Sequence, residues 1–161
     1  MECFKIEWKP PLPFDKAVSL PEAKSPGIYA LSEADNPSIY YIGQTKELFT
    51  RMTQYRRGDS SHMRDTGKVS VSVGIAYFVE NNIPSPATSE QVKDIEKFFI
   101  SEVKPERNIK GKEGGYRGRA VIIVNTGEEL PHTKNGRIAK VMSHDSVFLK
   151  LLKDNLGYSD W

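Results

Sequence analysis

The sequence predicts a mixed α/β (α+β) fold, a small antiparallel sheet of roughly three strands flanked by helices, and three observations carry that prediction. Residues 27 to 31 and 39 to 43 are β-rich runs joined by SEADNPS, whose Asp, Asn and Pro favour a turn. The stretch VSVSVGIAYFVE, 69 to 80, alternates with period two. Residues 46 to 57 and 89 to 103 repeat apolar side chains at helical spacing.

Residues 1 to 26 carry Pro10, Pro11, Pro13, Pro21 and Pro26 and read as an extended lead-in with a short helix around 14 to 18. The hairpin at 27 to 43 follows. In 46 to 57, Leu48, Phe49 and Met52 recur at helical spacing, and Gly58 closes the helix. In the strand at 69 to 80, Val69, Val71, Val73, Ile75, Tyr77 and Val79 form the expected core face, with Ser70, Ser72, Gly74 and Ala76 opposite. After the loop NNIPSPA, Thr88 with Gln91 makes a capping box that opens the helix 89 to 103, and Pro105 stops it. AVIIVN, 120 to 125, reads as a short added edge strand and GEELPHTKNGR as turn. Residues 143 to 155 read as a third helix, with Phe148, Leu151 and Leu152 on one side and Gly157 as its stop.

A length of 161 residues fits a single domain, 1–161, with a core at 21–110 and a basic loop and C-terminal extension at 111–161. Charged residues at 27% and hydrophobic ones at 38% exclude a disordered polymer, and no apolar run approaches the roughly 18 residues of a membrane span. The opening MECFKIEWKPPLPF lacks the apolar run of a secretory signal, and Cys3 has no companion for a bridge or a metal. A cytoplasmic setting is the expectation. A net charge of +2 says little about nucleic acid, but RNIKGKEGGYRGR sets five basic residues against one acidic, and YRRG and HMRDTGK add Arg56, Arg57, Arg64 and Lys68. Two readings stay open for these clusters: phosphate contacts or solvated loops.

Glu96 falls inside the apolar arc that Val92, Ile95, Phe99, Ile100 and Val103 define on the second helix, away from Lys93, Lys97, Ser101 and Lys104. A carboxylate there must be paired, metal-bound or protonated. Either a structural ion pair with a buried arginine or a functional site accounts for it. Arg51 and Tyr55, four apart, share a face of the first helix. Glu47, four before Arg51, offers the plainer reading of a surface ion pair. No phosphate-binding glycine loop, nucleophile elbow or Cys/His ligand set occurs. If a metal is used, one ion held by Glu96, with water and phosphate oxygens completing its shell, fits better than two.

Together these residues resemble the GIY-YIG nuclease family. Gly27-Ile28-Tyr29 and Tyr41-Ile42-Gly43 match its two triplets, Arg51 stands eight residues past Gly43, and Glu96 precedes the Asn108 of KPERN by twelve. The resemblance covers about 21 to 110, and Tyr55 four after the arginine is similar to the N-terminal nuclease of the bacterial excision-repair incision protein. It implies a stand-alone endonuclease acting on DNA with one Mg2+ or Mn2+. Tyr29 would be the general base, Tyr41 would help to position the attacking water or the phosphate, and Arg51 would balance phosphate charge. Glu96 would be the metal ligand, and Asn108 would fix the site. Gln44, where some members have lysine, together with Arg56, Arg57, His62, Arg64, Lys110, Lys112, Arg117 and Arg119 would meet the DNA. Target choice would fall to loops, a partner protein or a homodimer. Two other readings are a catalytically inactive nucleic-acid-binding module and a protein that uses the fold for interaction alone.

Overall fold

Phe4, Ile6 and Trp8 alternate with Lys5 and Glu7, and this period-two pattern makes Glu2–Trp8 a strand, β1, with its apolar face fully buried. The computed structural model describes residues 1–57, 66–108, 115–143 and 145, the side chains of residues 55, 56 and 66 excepted. The expected lead-in is therefore a strand, and it lies inside the sheet. After it come β2 (Leu12–Pro13), α1 (Phe14–Val18), a 3-10 turn (Pro21–Lys24), β3 (Gly27–Glu33), β4 (Asn36–Gln44) and α2 (Thr45–Arg56). A second 3-10 turn (Thr66–Lys68) leads to β5 (Val69–Glu80), β6 (Ile83–Pro86) and α3 (Ser89–Val103). Next are β7 (Val121–Thr126), β8 (His132–Thr133), β9 (Gly136–Arg137) and β10 (Val141–Ser143).

The sheet runs β10-β7-β1-β5-β3-β4-β8-β9, with β2 and β6 also paired to β5, so it has ten strands among the described residues rather than about three. Most pairs are antiparallel, while β1 with β7 and β4 with β8 are parallel. The reason for the larger sheet is β5. Its 12 residues outrun β3, so the first part pairs with β2 and β3 and the second with β1 and β6. The expected loop at 83 to 86 is thus a short strand whose prolines suit an edge. The strand expected at 120 to 125 forms as β7, between β1 and β10 rather than at an edge. The expected turn GEELPHTKNGR contains the small hairpin β8–β9. Ser143 belongs to β10, so no helix starts there, and residues 144 and 146 to 155 of the expected third helix lie outside the described residues.

Both faces of the sheet are covered. On one, α3 packs Val92, Ile95, Phe98 and Phe99 over Phe4, Ile6, Trp8, Ile28 and Ile42. On the other, α1 and α2 bring Phe14, Ala17, Val18 and Leu48 onto Tyr29, Leu31, Val71 and Val73. This changes the reading of β5. Val69, Val71 and Val73 are buried as expected, but from Ala76 onward the opposite face turns inward, and Ile75, Tyr77 and Val79 are only half-buried. A long twisting strand that changes neighbours midway also changes its buried side. Helix α3 opens with the expected capping box, Gln91 N–H donating to Thr88 Oγ1 and Thr88 N–H to Gln91 Oε1. Ser101, expected on its polar side, is buried and donates to the Phe98 carbonyl. None of the described helices is long and apolar enough to cross a membrane.

Truncating a fully buried side chain in a central strand costs about 2 to 5 kcal/mol, so Ile6→Ala should lower stability by that amount in urea denaturation. A loss below about 0.5 kcal/mol, the scale of a surface substitution, would contradict the central place of β1.

Candidate active site

The hairpin β3–β4 pairs Tyr29 with Gly43 and Leu31 with Tyr41. A β-carbon on Gly43 would stand 2.5 Å from the Tyr29 hydroxyl, so the glycine makes room for the tyrosine ring. Gly27 has the same role toward β5, since a side chain there would collide with the Gly74 carbonyl. Tyr29 is 1% exposed, whereas Tyr41 is half-buried. Their ring centres are 6.1 Å apart and their side chains hydrogen-bond. The neighbouring Tyr40 is structural: it is buried in the same cluster, with the Arg107 guanidinium 4.4 Å above its ring.

Asn108 is buried at the end of the segment that follows α3. Its Oδ1 accepts from the Ile42 N–H and its Nδ2 donates to the Ile42 carbonyl, both at 2.8 Å, so it clamps the middle residue of the second triplet. Arg51, in the second turn of α2, is half-buried and draws the Tyr29 and Tyr41 pKa values down by its charge. Among the described residues it makes no ion pair, and the Glu47–Arg51 pair that the spacing allowed is not formed. Glu47 is exposed, and its charge adds to the raised pKa of Tyr29, Tyr41 and Glu96. Sequence reasoning saw in it only a partner for Arg51.

Glu96 lies at the rim of the apolar arc, half-buried, and burial pushes its carboxyl above the usual value. Gln44 Nε2 donates to its Oε2 at 2.9 Å, and this bond, with weaker help from Lys97 and Lys93, acts in the opposite direction. No arginine pairs with Glu96 among the described residues, so the buried ion-pair reading is not realised. Burial also raises Tyr29 well above the ordinary phenol value and Tyr41 above it, so both rest as neutral phenols. An under-compensated carboxylate is a hard oxygen donor that suits a divalent cation. No group of three or more His, Cys, Asp or Glu forms a metal cluster among the described residues, so the protein would supply few of the ligands.

The remaining expected site residues are scattered. Arg57 is exposed at the end of α2, and Arg117 is exposed in the segment before β7. Arg119 is bound by Glu2 at 2.9 Å and Glu90 at 3.6 Å. The side chains of Tyr55 and Arg56 and the whole of His62, Arg64, Lys110 and Lys112 lie outside the described residues.

A tyrosine pair on a hairpin, an arginine on the helix that follows and a glutamate on α3 thus sit in a domain of mixed α/β fold. Residues 25–110 match the GIY-YIG catalytic domain, and the chain belongs to that family, whose members are endonucleases. No curated protein and no solved structure matches the chain.

Asn108→Leu would leave the buried N–H and C=O of Ile42 unpaired. At about 1 to 3 kcal/mol for each orphaned group, a loss of roughly 2 to 6 kcal/mol is expected in urea denaturation. Glu96 gives a second test. A carboxyl whose folded pKa is raised above 4.5 binds its proton more tightly in the folded state, so stability falls as pH rises from the unfolded value through the folded one. Glu96→Gln removes that penalty, and its gain in Tm over the wild type should be larger at about pH 7 than at about pH 4. Equal differences at the two pH values would show that Glu96 carries no burial penalty.

Proposed function

We propose that the chain is a stand-alone endonuclease that hydrolyses DNA phosphodiester bonds with one divalent ion, Mg2+ or Mn2+, and that residues 1–161 form one domain. The observation that carries this reading is that Arg51 and Glu96 both act electrostatically on the paired tyrosines Tyr29 and Tyr41. Continuity of the sheet from β3 through β1 to β7 and β10 supports the single domain.

In this reading Glu96 is the protein ligand of the ion, with water and phosphate oxygens as the others. When bound, the ion would supply positive charge that stabilises the anionic phosphate. Arg51, unpaired among the described residues, meets the anionic phosphate as negative charge builds in the transition state. Tyr29 takes the proton of the attacking water, directly or through a second water, and Tyr41 holds that water or the phosphate in line. A buried phenol cannot keep a standing negative charge near neutral pH. Proton acceptance by Tyr29 therefore belongs to the substrate complex, with Arg51 favouring its anion. Tyr55, four residues after Arg51 in the sequence, is proposed to belong to the catalytic set.

Arg56, Arg57, His62, Arg64, Lys110, Lys112 and Arg117 are proposed to grip the DNA backbone, joined by Lys93 and Lys97 beside Glu96. Arg119 reaches DNA only by leaving Glu2 and Glu90. Target choice is assigned to loops, a homodimer or a partner protein.

The test is incubation with supercoiled plasmid and with a short branched duplex, with Mg2+, Mn2+ or chelator. Wild-type nicking should require the metal, and Arg51→Ala and Glu96→Gln should each lose about a hundredfold or more in rate while keeping the wild-type circular dichroism spectrum. Salt-dependent DNA binding without any cleavage by the wild type would overturn the enzyme reading and leave an inactive binding module.

A further inference from the structure

We propose that Gln44 is a positioning residue for the ion site: its carboxamide fixes one oxygen of Glu96 and leaves the other to take the ion. The inference rests on the nuclease reading above and adds to it a residue that would otherwise be counted among the DNA contacts.

The geometry begins with where Gln44 stands. It is the last residue of β4, paired with Ile28, and the next residue starts α2. The Thr45 hydroxyl donates to the Ser25 carbonyl and, at 3.4 Å, to the Gly27 carbonyl, so the backbone at the strand-to-helix junction is held from two sides. Ile42 and Gln44 share one face of β4, and Ile42 joins the cluster built around α3. That face delivers the Gln44 amide to Glu96 across 52 residues of sequence, with Nε2 to Oε2 at 2.9 Å. The donor comes from a rigid element rather than from a loop, and the acceptor lies half-buried on a capped helix.

The chemistry explains why an amide is suited to this place. Bonding to one oxygen keeps Glu96 from rotating and leaves a single oxygen to coordinate. The amide is neutral, so it lowers the cost of burying the carboxylate without cancelling its charge. A lysine in the same place would donate equally well, but its charge would repel a divalent ion. Partners of this kind around metal ligands are typically worth about 10 to 100-fold in metal affinity.

The deciding experiment uses the full chain without DNA and Mn2+ as the probe, read as paramagnetic broadening of backbone amide NMR signals. Wild-type protein should show broadening centred on residue 44 and the middle of α3, and Glu96→Gln should abolish it. Gln44→Leu, checked for a wild-type spectrum elsewhere, should need about tenfold or more Mn2+ for the same broadening. Gln44→Lys should bind Mn2+ no better than Gln44→Leu. In plasmid nicking, excess metal should restore the Gln44→Leu rate toward wild type, because the defect is in ion occupancy. Wild-type Mn2+ binding by Gln44→Leu, alone or with weakened DNA affinity, would overturn the inference while leaving the ion at Glu96 intact. Absence of any local broadening in the wild type would remove the ion site itself, and the inference with it.

Discussion

The two hydrogen bonds between the Asn108 carboxamide and the backbone of Ile42 hold the rest of the site in register. Strand β4 has β3 along one side, and its other side would expose N–H and C=O groups at alternate residues. Ser38 meets β8 there, the Tyr40 carbonyl accepts from the Arg107 N–H at 2.8 Å, and Ile42 has both its groups taken by Asn108. The segment after α3 thus stands in for a missing strand, with a side chain as its last rung. Since α3 ends only a few residues earlier, with Lys104 in the left-handed region at φ 50°, this seam fixes the helix bearing Glu96 against the hairpin bearing Tyr29 and Tyr41.

That fixed arrangement has an electrostatic cost which the fold does not remove. Burial raises the pKa of Tyr29, Tyr41 and Glu96 together, and Glu47 adds negative charge nearby. Against this stand Arg51, the neutral donor Gln44 and the exposed Lys93 and Lys97. The imbalance runs one way: each of the three groups would ionise more readily if positive charge were added. A site with that bias responds to an arriving cation, and the same bias keeps Tyr29 protonated without one. Packing strengthens it, because the ring of Tyr29 lies against Gly43 and is almost wholly buried.

Much of this was legible in the sequence, for reasons that differ by residue. Tyr29, Tyr41, Arg51, Glu96 and Asn108 could be assigned to elements with a clear period or a clear stop: two β-rich runs joined through Asp, Asn and Pro, of which Asn36 and Pro37 prove to open β4, a capping box at Thr88, and Pro105 after α3. Strand β1 was hidden by the prolines that follow it, although the alternation in FKIEW carried the signal. Strands β8, β9 and β10 are two or three residues long and carry no period to read. The face of β5 was ambiguous because valines oppose Ser, Gly and Ala, which also pack well when both sides of a sheet are covered. The Gln44–Glu96 and Arg119–Glu2 bonds span 52 and 117 residues, and local pattern holds no information at such distances.

The parts outside the family match also bear on the site. Strand β1 precedes residues 25–110 and β7 follows them, yet the two lie side by side with Phe4 opposite Ile123, and Trp8 Nε1 donates to Asn125 Oδ1 at 2.9 Å. Strand β1 in turn pairs Ile6 with Ala76 of β5. Ala76 is where the next element is attached, because its carbonyl accepts the Ala87 N–H one residue before the cap of α3, and its own N–H donates to Pro26 just before β3. Trp8 also meets Phe99 edge to face at 6.0 Å. The terminal strands therefore support both the start of the helix that carries Glu96 and the start of the strand that carries Tyr29. Loosening β1 would shift the carboxylate and the tyrosine relative to each other, and catalytic geometry tolerates only about an ångström of such error.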